Sequence, residues 1–190
     1  MSPPLNITLL AKKGGVGKTT LSLMLYEALR QAGKTVYVQD WDPQGTSTKA
    51  LALIIGKQTT TPQEADIVIW DTPPSLDHTA TATAARSANI AVAVTTPAPV
   101  DIWEADEAAR FVQSKNSKAS IRIVVNKFEK GTILGRMIQD SLQQVGAQPL
   151  PVMITERQCY KHAGVYGWKV LDAAAREEIL QFAVALLSLT

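Results

Sequence analysis

The segment Lys12-Lys13-Gly14-Gly15-Val16-Gly17-Lys18-Thr19-Thr20 constrains this chain more than any other stretch. It lies between an apolar run, Leu5 to Ala11, and a segment with apolar residues at Leu21, Leu25, Ala28 and Leu29. That second spacing marks one face of a helix, which Gly33 ends. A glycine-rich turn from strand into helix lets successive backbone N–H groups point inward, and the helix amino end adds positive potential. Together they make a cradle for phosphate. In that geometry Gly14, Gly15, Val16, Gly17 and Thr20 surround the phosphates, Lys18 reaches the β- and γ-phosphates, and the Thr19 hydroxyl ligates Mg²⁺. The strict pattern G-x4-G-K-[ST] is not met, because Lys12 stands where its first glycine belongs.

The rest of the chain supplies what such a turn demands. Short apolar runs, Thr35 to Asp40, Ala65 to Asp71, Asn89 to Thr95, Ile121 to Asn126 and Gln148 to Ile154, alternate with helical spacings. The helices are expected over Leu76 to Ser87, Ile102 to Ser114, Thr132 to Val145 and Val170 to Leu187. Alternation of this kind predicts an α/β fold, a three-layer, mostly parallel twisted sheet flanked by helices. Pro149 and Pro151 weaken the last strand. One domain over residues 1–190 is expected, because no repeat or linker divides the chain. Apolar residues make up 46% and charged residues 19%, as in a globular protein. The lone Cys159 cannot build a disulfide framework within the chain, the opening Met-Ser-Pro-Pro is unlike a signal peptide, and no apolar run is long enough for a bilayer. A cytoplasmic location is expected.

Three acidic positions fall at strand ends. In Val36-Tyr37-Val38-Gln39-Asp40-Trp41-Asp42-Pro43-Gln44, Asp40 and Asp42 are two apart and share a side of an extended segment, facing the crevice beside the cradle. The same residues could instead cap a helix and open a turn before Pro43. The run Ile67-Val68-Ile69-Trp70 ends in Asp71, a carboxylate placed to hold a Mg²⁺-bound water. His78 and His162 lack companions for a metal site, and the four tryptophans are assigned to packing.

Lys-Gly-Gly-Val-Gly-Lys-Thr resembles the deviant Walker A box of the ParA/MinD superfamily, a deviant branch of the P-loop NTPases. Asp40-Trp41-Asp42-Pro43-Gln44 is similar to its Walker A′ motif, and Asp71-Thr72-Pro73-Pro74-Ser75 to its Walker B and switch segment. The resemblance runs from Leu5 through Ile154-Thr155-Glu156-Arg157-Gln158, where it looks like the short partition ATPases of the ParF kind. It implies a Mg-dependent ATPase of weak intrinsic activity with ATP and Mg²⁺ as cofactors. It assigns Lys13 as the signature lysine that crosses to the partner's phosphates in a sandwich homodimer, or in a longer polymer. Lys18 and Asp42 would join it in catalysis, Asp42 positioning the attacking water. Asp40 and Asp71 would reach Mg²⁺ through water, with Thr19 as the direct ligand. Asn126 would bind the adenine edge, and Pro151 would help close the base pocket. The implied function is DNA (plasmid or chromosome) partition. Non-specific DNA is the track, a centromere-binding or cargo adaptor is the partner, and the location is nucleoid-associated. Positioning of a protein organelle is the alternative. No room precedes the first strand for the helix-turn-helix of longer relatives, so operator binding is not expected.

Charge is unevenly placed. Ten basic residues between Arg110 and Lys169 face three acidic ones, giving +7 there against −5 for the rest. Lys115, Lys118, Arg122, Lys127, Lys130 and Arg136 are the candidates for phosphate-backbone contacts. A MinD-like membrane cycler should end in a basic amphipathic helix, but Ile179 to Thr190 carries no Lys or Arg, so no membrane partner is expected. Ile179, Leu180, Ala183, Leu186 and Leu187 are expected to face the core instead. An iron–sulfur electron-transfer ATPase needs two cysteines per subunit and is excluded. A biotin-pathway ligase would need a small-substrate pocket, against which Asp42-Pro43-Gln44 and Asp71-Thr72-Pro73-Pro74 argue.

Overall fold

The computed structural model describes residues 3–190; Met1 and Ser2, the start of the opening tetrapeptide, lie outside the described residues. The elements in chain order are β1 (Leu5–Leu10), α1 (Lys18–Gln31), β2 (Val36–Asp40), α2 (Thr46–Ile55), β3 (Ile67–Asp71), α3 (Thr79–Ser87) and β4 (Ile90–Thr95). They continue with α4 (Pro99–Lys115), β5 (Ser120–Phe128), α5 (Ile133–Gln143), β6 (Pro149–Thr155), α6 (Gln158–Tyr166), a 3₁₀ turn (Gly167–Val170) and α7 (Ala173–Leu187). The six strands form one sheet in the order β2-β3-β1-β4-β5-β6, parallel at every pairing.

Alternation along the strands sends two kinds of side chain to the two faces. In β4 the large Ile90, Val92 and Val94 join one core with α1 and α7, while Ala91 and Ala93 join the other with Ala105 and Ala108 of α4. Alanine meeting alanine lets α4 lie close to the sheet, and the branched residues fill the deeper face, each fully buried one contributing about 1.5–3 kcal/mol. Ile179, Phe182, Ala183 and Leu186 hold α7 on that deeper face. Leu180 does not join them. It is 42% exposed, as is Trp103 at 51%, so the packing expectation fails for both, whereas Trp41 and Trp70 meet edge to face.

Both sheet edges are protected. Pro149 and Pro151 sit exposed on edge strand β6, where a missing N–H is harmless. On edge strand β2 the amide of Gln58 takes the place of a neighbouring strand. Its Oε1 accepts from Val38 N at 2.8 Å and its Nε2 donates to Val38 O at 3.1 Å. Gln58→Ala should therefore lower stability by about 1–2 kcal/mol and promote edge-to-edge aggregation, read by denaturant unfolding and light scattering.

Two helices, α2 and α6, have no counterpart among the helices expected from the sequence. The sequence Thr46-Ser47-Thr48-Lys49 opens α2 with β-branched and hydroxyl residues, a poor helical signal. Its first turn is instead held from outside by Asp40, whose Oδ2 accepts from Thr48 N at 2.8 Å. α3 starts three residues later than expected, where His78 Nδ1 accepts from Ala80 N and caps it. The registers Leu9↔Asp71 and Asp40↔Asp71 align the ends of β1, β2 and β3, and Thr95↔Val125 brings Asn126 to the same rim. Strand order reverses between β1 and β4, so the crevice expected of a doubly wound sheet opens beside the glycine-rich turn.

Candidate functional site

Gly15 and Gly17 hold the turn after β1 in left-handed backbone, with φ of 84° and 93°, and Gly17 caps α1. A cleft of ≈ 370 Å³ opens there, lined by Gly14 through Leu21 together with Asp42, Pro74, Asn126 and Lys127. Lys18 is 6% exposed, and no hydrogen bond or ion pair to its ammonium is found among the described residues. Burial pushes its pKa down, against the attraction of Asp71, Asp42 and Asp40. An unpaired ammonium on a largely buried side chain, open to the floor of a cradle, is a site for an anion.

Asp71 lies beneath the cradle, fully buried. Its Oδ2 accepts from Thr19 Oγ1 at 2.8 Å and from Ser47 Oγ, and its Oδ1 from Ser22 Oγ at 3.3 Å. Burial raises its pKa, while the hydrogen bonds from Ser47 and Thr19 and the charge of Lys18 act the other way. A divalent cation beside Thr19 would favour the ionised form. The unpaired Lys18 and the adjoining Thr19 and Asp71 oxygens fit Mg-ATP: Thr19 would hold the metal and Asp71 would orient a water on it. Neither Ser22 nor Ser47 was singled out in the sequence; Ser47 belongs to the unforeseen α2.

The paired aspartates separate in role. Asp42 lines the cleft, and its Oδ1 accepts from Gln44 N at 3.0 Å. Asp40 has both oxygens engaged by backbone, Oδ1 with Asp42 N at 3.1 Å and Oδ2 with Thr48 N. It thus shapes the Asp42 turn and starts α2, as in the capping alternative, and each oxygen keeps a second lone pair with which to accept from a metal-bound water. Pro151 also departs from expectation: it is an exposed mid-strand residue of β6 and does not line the cleft. The wall on that side comes from α6 and its approach, Glu156, Arg157, Tyr160 and Lys161. Glu178 of α7 braces this wall, accepting from Thr155 Oγ1 and Arg157 Nη2, each at 2.7 Å, and from Tyr160 Oη at 3.2 Å.

Asn126 reaches the cleft, 7% exposed, but its amide already donates to Val16 O at 2.8 Å, and the neighbouring Lys127 Nζ donates to Gly15 O at 2.7 Å. Lys13 turns the other way. Its ammonium, on a side chain 47% exposed, pairs with the buried Asp101 in the first turn of α4, and Asp101 also accepts from Thr96 Oγ1. Lys12 pairs with Glu107 two turns along the same helix. Asp101, which neighbours the loop after β4, raises the Lys13 pKa through its hydrogen bond.

The six basic candidates for DNA contact do not share a face. Lys115, Lys118 and Arg122 lie at the amino end of β5, whereas Lys127, Lys130 and Arg136 lie at or beyond its carboxyl end. Their nearest members, Arg122 and Lys127, are about 17 Å apart along the strand.

A sequence profile of the CobQ/CobB/MinD/ParA nucleotide-binding domain matches residues 7–167. The chain belongs to this family. Within the ParA/MinD family, it is similar to the maintenance of carboxysome distribution protein A of Gloeobacter kilaueensis. The two are 30% identical over 189 residues, covering 90% of this chain and 86% of the relative. The protein of the same name from Halothiobacillus neapolitanus is 28% identical over 185 residues, covering 86% and 85%. Among solved structures, the ATP complex of a McdA variant from Cyanothece superposes with a TM-score of 0.76 at 15% identity, covering 100% of this chain and 98% of the other. That likeness is one of fold. The chain is a ParA-like P-loop ATPase, and ATP with Mg²⁺ suits a site of this family.

Proposed function

We propose that this ParA-like ATPase positions a protein-bounded cargo. Two copies carrying Mg-ATP pair face to face, the pair rests on non-specific DNA, and an adaptor on the cargo stimulates hydrolysis and release. The observation that carries this is the placement of Lys13, which belongs to the cradle segment yet leaves its own cleft and is held at the rim by Asp101. A cation so placed is turned away from its own cleft and, once it leaves Asp101, could serve the phosphates of a second copy stacked on the cradle. When bound, Mg²⁺ supplies charge neutralisation for the β- and γ-phosphates. Lys18 would share that charge, Asp42 would orient water at the cleft, and Asp71 would fix the metal's hydration through its place beneath Thr19.

Two relatives matched over most of the chain bear names for carboxysome distribution, which supports a protein organelle as cargo over the plasmid partition that the sequence motifs suggested. For the DNA track, Lys130 and Arg136 are the better two of the six basic candidates, since the ammonium of Lys127 is engaged by Gly15 O. They lie on the nucleotide rim, where pairing would bring two copies of them onto one surface. Lys115, Lys118 and Arg122, at the far end of the sheet, would bind DNA with no dependence on nucleotide. In α7, Ile179, Phe182 and Leu186 are spent on the core, and the exposed Leu180 and Val184 have no Lys or Arg beside them between Ile179 and Leu187, which disfavours a basic amphipathic membrane helix there.

Deletion of the gene tests the cargo directly. Fluorescently marked cargo should collapse from spaced foci into one or two clusters, with plasmid retention unchanged. Rapid plasmid loss with evenly spaced foci would reverse the assignment in favour of DNA partition.

A further inference from the structure

We propose that Asn126 and Lys127 are positioning residues that hold the phosphate cradle in its binding shape from outside, and so govern affinity for the phosphate chain itself. The proposal rests on Gly14 to Thr20 being that cradle. A backbone loop grips phosphate only when its N–H groups point inward, which turns its carbonyls outward, where they need donors of their own. Two successive carbonyls of the loop find them in two successive residues of β5. Lys127 Nζ donates to Gly15 O at 2.7 Å, and Asn126 Nδ2 donates to Val16 O at 2.8 Å.

Three further features fit this clamp. The pairing of β5 with β6 shifts register between Val125 and Phe128, a bulge of the kind that re-aims side chains. Lys127 has φ of 56°, the sole positive φ on a non-glycine residue among the described residues, a conformation that persists only where its surroundings enforce it. Gly17 leaves the space that the amide occupies, since a Cβ there would lie 2.1 Å from Asn126 Nδ2. The bulge, the unusual backbone and the missing side chain all serve one contact, that of β5 with the outside of the cradle.

Inorganic tripolyphosphate separates this role from recognition of the base, because it carries the phosphate chain alone. Calorimetric titrations with Mg²⁺ would compare tripolyphosphate and a non-hydrolysable ATP analogue on native protein, Asn126→Ala, Lys127→Ala, Lys127→Gly and Lys127→Arg, each checked for native thermal unfolding. The two alanine variants should bind both ligands about tenfold more weakly, by the same factor for each. Lys127→Gly keeps the left-handed backbone without strain but loses the ammonium, and should be as weak as Lys127→Ala. Lys127→Arg should retain most of the affinity. Unchanged tripolyphosphate affinity in the alanine variants, or native affinity in Lys127→Gly, overturns the clamp. Native protein that binds neither ligand would remove the cradle and the clamp together, whereas native binding with unaffected variants removes only the clamp.

Discussion

Lys13→Ala is expected to give a protein that binds Mg-ATP as a monomer, with dimer affinity reduced by about 100-fold or more and DNA binding lost with it. Nucleotide affinity should stay within a few-fold of native, because Lys13 points away from its own cleft and toward α4. Lys18→Ala should behave oppositely and lose nucleotide itself, since Lys18 is the buried cation of the cradle. The resting partner of Lys13 makes a second, signed expectation. Asp101 is buried and binds both Lys13 and Thr96, so a lysine that crosses to another copy must first leave this carboxylate. Asp101→Asn weakens the hold without emptying the space, and pairing in ATP should tighten several-fold. Lys12→Ala, which breaks only an exposed pair with Glu107, should change neither quantity. Sedimentation velocity in ADP and in an ATP analogue reads all four.

Gly17→Ala should be the most damaging single methyl in the chain. Its φ of 93° is a conformation that L-residues rarely adopt, and the new Cβ would meet the Asn126 amide at 2.1 Å. Backbone strain and overpacking together predict a loss of about 2–5 kcal/mol in stability. A loss of ATP affinity beyond 100-fold should accompany it, because the clash is relieved either by shifting the loop and its N–H groups or by displacing the Asn126 amide from Val16 O, and both disturb the cradle. Gly15→Ala is the control. Its φ of 84° imposes similar strain, but nothing lies within 4 Å of the added Cβ, so only about 1–2 kcal/mol should be lost. In the double variant Gly17→Ala with Asn126→Ala the clash disappears and the strain remains. Its cost should therefore fall well short of the sum of the single costs, a coupling that thermal or urea unfolding can measure.

The strand-to-helix turn at Gly14 to Gly17 was legible from the sequence because hydrophobic spacing changes there from strand-like to helical, as β1 and α1 do on either side of it. Asp71 was legible for a similar reason, as the first charge after four apolar residues. Asp40 shows where such inference stops. A period of two places it on the same side as Asp42, but whether its oxygens face a metal or a backbone amide depends on α2, and α2 carries no strong start of its own. Ser47 depends on the same helix, and Arg157, Tyr160 and Lys161 reach the cleft only through α6 and its approach, whose short span carries no clear helical spacing, whereas Pro151 stays exposed on β6. The basic stretch could be counted but not divided, since only the course of β5 reveals that Arg122 and Lys127 belong to opposite ends of the sheet.

Light scattering of native protein saturated with Mg²⁺ and a non-hydrolysable ATP analogue tests the pairing of two copies most directly. Twice the monomer mass is expected with the analogue, the monomer mass with ADP, and the monomer mass in both for Lys13→Ala. A native protein that stays monomeric at saturation, or a nucleotide-bound dimer that forms equally well without Lys13, would contradict it.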